Sequence, residues 1–140
     1  MFRFKINNTE WNIKEVDEAT INNEMKQDGT LGVTIYKTQE ILLLNNQANI
    51  IKTLKHELMH VWLYEYGHSQ SDDSSYGYED ICEIVASSND FINVIVEQYK
   101  REKVKSMNVD VDEINQTLLC NKEGEKSNVK RFSDYFNNNT

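Results

Sequence analysis

Between residues 45 and 67 the sequence leaves little choice of local structure. Asn45-Asn46 breaks an apolar run, and Gly67 stands where a helix commonly leaves the right-handed region. The segment of about 18 residues ending at Tyr66 repeats apolar side chains at helical spacing. With about 100° between successive residues and Leu54 as origin, Ile51, Leu58, Val61 and Trp62 fall within about 80°, whereas His56 and His60 fall near 200° and 240°. The predicted helix therefore turns one stripe towards a core and a pair of histidines, one turn apart, towards something else.

Those histidines belong to His56-Glu57-Leu58-Met59-His60, an H-E-x-x-H pattern whose chemistry makes sense only on a helix. Residues four apart share a face, so two imidazoles can reach one Zn2+ ion, while Glu57 stands beside it as a catalytic base without ligating it. A catalytic zinc keeps three protein ligands and one open position, so a third donor is expected downstream. A second predicted helix, from about Tyr78 to Tyr99, offers Glu79, Asp80, Cys82 and Glu83. On it Ile81, Ile84, Val85, Phe91, Ile92 and Ile95 form an apolar stripe, and Glu83, Ala86 and Asp90 lie within about 40° of Glu79 on another face. Glu79 is favoured as the third ligand, because it sits in the first turn and leaves Glu83 free to hydrogen-bond a liganding imidazole; Glu83 is the alternative ligand. Cys82 lies about 60° from Glu79 and reads as a small hydrophobe. An oxyanion stabiliser is also needed, and Tyr64, Tyr66, His68, Tyr76 and Tyr78 are the candidates. The competing reading of the tyrosines is that they pack at the helix ends with hydroxyls in water.

Around this pair of helices the pattern is that of an α+β domain with a small, mostly antiparallel sheet. Phe2-Arg-Phe-Lys-Ile6 alternates apolar with basic, as a half-buried strand does, and Asn7-Asn8 supplies a turn. Residues 10–27 space their apolar side chains irregularly among acidic and amide residues, which predicts a surface helix ending near Asp28-Gly29. Leu31, Val33 and Ile35 alternate, a polar interruption follows at 37–40, and Ile41-Leu-Leu-Leu44 is a short buried run; the two read as paired strands. Residues 67–77 form a Ser/Asp/Gly-rich loop, Val109 to Cys120 is weakly amphipathic, and residues 121–140 are polar enough to be partly disordered or loosely docked. The expected organisation is one domain over residues 1–100 and a C-terminal helical extension and tail over 101–140.

With 140 residues the chain suffices for one modest core. The net charge of −8 is concentrated in residues 1–99, which hold 7 Lys+Arg against 16 Asp+Glu, so direct nucleic-acid binding is not expected. Two cysteines far apart, Cys82 and Cys120, are expected as thiols. The start lacks the apolar run of a signal peptide and no stretch is long enough for a membrane span, so a soluble, cytoplasmic protein is expected, with no membrane partner.

Taken together, Thr53-Leu-Lys-His-Glu-Leu-Met-His60 followed by Glu79-Asp-Ile-Cys-Glu-Ile-Val-Ala86 resembles the small gluzincin-type zinc metallopeptidases, particularly the ImmA/IrrE-like family. Gly32-Val-Thr-Ile-Tyr36 through Ile41-Leu-Leu-Leu44 resembles the strand pair before the active-site helix in such proteins, where an edge strand can bind an extended peptide. The resemblance spans roughly residues 2–99. It implies a minimal zincin-like domain, a glutamate ligand on the second helix, and zinc-dependent endopeptidase activity on a specific protein, in that family often a repressor of a mobile genetic element. The alternative is a zinc-binding regulatory or interaction module with little hydrolysis.

Overall fold

The computed structural model describes residues 1–68 and 76–120, with side chains through residue 108. The chain divides into two compact units, Met1–Lys103 and Val104–Thr140. In the first, four strands, β1 (Phe2–Ile6), β2 (Thr9–Val16), β3 (Gly32–Ile35) and β4 (Glu40–Leu44), form one sheet in the order β1-β2-β4-β3. Helix α1 (Glu18–Met25) lies between β2 and β3 in sequence, α2 (Ile50–Glu65) follows β4, and α3 spans Tyr78–Cys120. Among the described residues no helix is long and apolar enough to cross a membrane.

The α+β class expected from the sequence is found, but the sheet is mixed. β1 pairs with β2 and β3 with β4 in antiparallel fashion, whereas β2 and β4 run parallel at its centre. The parallel pair arises because residues 10–16, expected as the start of a surface helix, belong to strand β2. Asn7 and Asn8 take positive φ values of 47° and 63°, the requirement of a two-residue primed hairpin turn, and this turns Thr9 back onto Ile6. Thr9, Trp11, Ile13 and Glu15 then alternate onto one face. The helix in this region is only the short α1, whose first turn is capped by Asp17 accepting from the Thr20 amide at 2.8 Å.

The main core lies on the face of the sheet that carries Phe4, Ile6, Trp11, Ile13, Ile41 and Leu43. These pack with Leu54, Leu58, Val61 and Trp62 of α2 and with Ile92, Ile95, Val96 and Tyr99 of α3. The predicted stripe of α2 is thus its buried stripe. Leu42, of opposite parity, and Ile21 of α1 are buried outside this cluster, and α1 packs against β4 and β3. Polar ties fix both ends of the core. Glu65, at the end of α2, accepts from Trp11 Nε1 at 2.7 Å and from Thr9 Oγ1 at 3.2 Å. Glu15 of β2 accepts from the Tyr99 hydroxyl and from Lys103 Nζ of α3.

Helix α3 begins at Tyr78 as expected but does not stop near Tyr99. The segment Val109 to Cys120 is its continuation. With no glycine between Gly77 and Gly124 and no proline in the chain, nothing in the sequence interrupts the backbone hydrogen bonds there. Residues 69–75 of the expected loop and the tail at 121–140 lie outside the described residues.

Candidate active site on helix α2 beneath an edge strand

Asn49 opens α2 by accepting from the Lys52 amide at 3.0 Å, and the chain leaves it through Gly67 at a φ of 79°. Between these ends Leu54, Leu58, Val61 and Trp62 anchor the helix on the sheet, which sets the rotation of the remaining faces. His56 is exposed and His60 half-buried. Their Nε2 atoms stand 3.1 Å apart, with the rings crossed at 77°.

That separation suits two arrangements. One neutral imidazole can donate to the other, or both can turn lone pairs to a shared cation. For zinc, with nitrogens about 2.0–2.1 Å from the ion and tetrahedral angles, two ligating nitrogens are about 3.3 Å apart, so the pair fits the metal with little movement. The third donor is not assembled with it: among the described residues no group of three or more His, Cys, Asp or Glu side chains is placed to hold a metal ion. Glu79 and Glu83 are exposed on the opening turns of α3. Glu83 accepts from Ser87 Oγ at 3.2 Å and lines a pocket of about 330 Å³ together with Trp62, His68, Tyr76 and Asp80. Asp80 accepts from the Gly77 amide at 2.8 Å, a helix-start contact. Cys82 is exposed, with a free thiol, rather than buried as a small hydrophobe; the Cys120 side chain lies outside those described.

Glu57 occupies a different environment from its histidine neighbours. It is only 5% exposed, on the side of α2 that meets β3. Thr34 Oγ1 donates to Glu57 Oε2 at 2.7 Å and also stands 3.3 Å from the Glu57 carbonyl oxygen. Two residues earlier on the same face of β3, Gly32 leaves space for the rest of the carboxylate. A Cβ there would stand 2.9 Å from Glu57 Oε1, 3.0 Å from its Cγ and 2.6 Å from Thr53 Cγ2. Sequence reasoning missed both residues. The available signal was a glycine inside a strand pattern, which marks a close approach by another group.

His56, Glu57, Gly32 and Leu31 line one cleft of about 690 Å³, which also takes in Gln47 and Lys52. Gln47 shapes its floor: Nε2 donates to the Leu31 and Leu44 carbonyls at 3.0 and 2.8 Å, and Oε1 accepts from Thr53 Oγ1 at 2.5 Å. Because β3 is an edge strand, the cleft runs beside backbone groups that no neighbouring strand of this sheet pairs.

The candidate oxyanion residues lie elsewhere. Tyr64 packs against Tyr36 and Trp11, with ring centroids 4.7 and 6.2 Å away. Tyr66 and His68 lie against Trp62 at 4.9 and 5.6 Å, Tyr76 approaches His68 at 6.1 Å, and Tyr78 is 91% exposed. None of the five is among the residues lining the cleft beside Glu57. The rings of Tyr64, Tyr66 and Tyr76 pack against aromatic neighbours near the helix ends. No family model, curated protein or solved structure matches this chain.

Proposed function

We propose that this protein is a zinc-dependent endopeptidase of the gluzincin type, with His56 and His60 as metal ligands and Glu57 as base. The observation that carries the reading is the meeting of two imidazole nitrogens 3.1 Å apart with a buried carboxylate on the adjoining residue, beside a cleft under an edge strand. Glu79 is the proposed third ligand and Glu83 the alternative. Either carboxylate would have to come within reach of the histidine pair, since no three-donor group is assembled among the described residues.

When bound, zinc would supply Lewis-acid chemistry, polarising the scissile carbonyl and making water acidic enough to attack near neutral pH. His56 and His60 serve as neutral nitrogen donors. Glu57 takes a proton from the attacking water on its carboxylate as the new C–O bond forms, and then delivers it to the leaving amine nitrogen as the amide C–N bond breaks, which restores the carboxylate. Burial of Glu57 keeps bulk water from competing for that carboxylate. An extended segment of the target, added alongside β3, would bring its carbonyl to the cleft by backbone hydrogen bonding. The proposed substrate is a specific cytoplasmic protein, such as a repressor of a mobile genetic element.

The test is Glu57→Gln. Cleavage of a proteome-derived peptide library by the wild-type chain should yield discrete sites, and the variant should retain bound zinc while its cleavage falls by at least about a hundredfold, in line with loss of a general base. Zinc retained by both proteins with no cleavage by either would favour the regulatory-module reading. Equal cleavage by both would refute the assigned base.

A further inference from the structure

Glu57 is held by more than its own helix. A carboxylate taken out of water is costly unless hydrogen-bonded, and the donor here comes from a different element, 23 positions earlier in sequence. On β3 the residues facing α2 are Gly32 and Thr34, one without a side chain and the next with a short hydroxyl. The first leaves room that a methyl group would fill, at 2.9 Å from Oε1. The second fixes Oε2 at 2.7 Å. Gly32 also needs no special backbone conformation, since its φ is not among the positive values, so the constraint on that position is space alone.

We infer that the alternate pair Gly32 and Thr34 on the edge strand is a carboxylate cradle that positions Glu57 for proton transfer, with Thr34 as a positioning residue. This rests on the peptidase reading. One oxygen, Oε2, is committed to the Thr34 hydroxyl, which leaves Oε1 as the oxygen to receive the proton from water. The same strand would align the extended substrate, so base and scissile carbonyl are referred to one rigid element. The chain needs both features: the helix alone sets where Glu57 starts, and the strand sets where its carboxylate ends.

The experiment compares Thr34→Val, Thr34→Ser and Glu57→Gln in the full-length chain. Valine keeps the β-branched shape and removes the donor; serine keeps the donor. The cradle predicts that Thr34→Val lowers kcat by about ten- to a hundredfold, as slight misplacement of a reacting group does, with KM and bound zinc near wild type, and that Thr34→Ser recovers most of the loss. A second readout uses metal-free protein in a double-mutant cycle: the losses in melting temperature from Thr34→Val and Glu57→Ala should be non-additive in the combined variant, because each single change already removes the same Thr34–Glu57 hydrogen bond. If Glu57→Gln is inactive while Thr34→Val keeps wild-type kcat, or if the two melting losses simply add, the cradle is overturned and the peptidase reading stands. If Glu57→Gln is as active as wild type, the peptidase reading fails and the positioning role fails with it.

Discussion

At the scale of single residues, the fold gives the carboxylates of Glu57 and Glu65 defined hydrogen-bond donors, and removal of either partner has a predictable sign. Glu65 is the clearest structural case. It accepts from the indole nitrogen of Trp11, which is fully buried, and from Thr9, so it ties the end of α2 to the hairpin. Glu65→Ala leaves a buried N–H without its acceptor and should destabilise the protein by about 1–3 kcal/mol in urea unfolding followed by tryptophan fluorescence. Leu58, fully buried on the same helix, belongs to the hydrophobic core, and Leu58→Ala should cost about 2–5 kcal/mol in the same assay. The separation of Leu58 from His56 and His60 was legible in the sequence, because helical spacing alone divides an apolar stripe from a histidine face. The contacts of Glu57 were not, because they depend on which strand lies at the sheet edge and on which parity of β3 faces α2. A glycine and a threonine two residues apart carry no such information until the register is known.

At the scale of elements, strand β2 shows how a polar sequence can conceal a strand. Trp11 and Ile13 alternate as a half-buried strand requires, yet Asn12, Lys14 and Glu15 dilute the pattern to the composition of a surface helix. The Asn7-Asn8 turn was the decisive local signal, since both residues tolerate positive φ. The central parallel pairing of β2 with β4 then follows from tertiary packing rather than from any local preference. Helix α3 is joined to β2 through Glu15, and this contact carries a pH dependence. Burial raises the Glu15 carboxyl, but the hydrogen bonds from Lys103 and Tyr99 outweigh it and hold the group below its ordinary value of 4.5. Burial and the neighbouring carboxylate push the Tyr99 phenol well above its ordinary value of 10.0. A lowered carboxyl contributes stability that is present above about pH 4.5 and is lost as pH falls through its folded value. A raised phenol contributes stability that is present below about pH 10 and is lost as pH rises beyond it. The difference in melting temperature between wild type and Tyr99→Phe should therefore be widest between about pH 5 and pH 10 and should narrow on both sides. A difference that is constant from pH 3 to pH 11 would show that this contact does not couple to folding.

At the scale of the whole molecule, the hydrophobic core is contained in residues 4–99, inside the compact unit that ends at Lys103. A chain truncated after Lys103 should therefore unfold cooperatively, with a single transition by circular dichroism and by tryptophan fluorescence. The α+β class, the pairing of β3 with β4 and both ends of α2 could be read from periodicity and turn residues, because each is dictated by contacts near in sequence. The third metal donor could not be read with the same security. Glu79 and Glu83 share a helix face, but their approach to α2 depends on the path of the chain between the two helices rather than on either helix. The account as a whole depends on His56 and His60 acting as a metal pair, and the direct measurement is elemental analysis of protein purified without a histidine tag. About one zinc per chain in the wild type, lost in His60→Ala while the variant remains folded, is the predicted result. Metal-free wild-type protein after purification in zinc-containing buffer, or the same zinc content in wild type and His60→Ala, would contradict it.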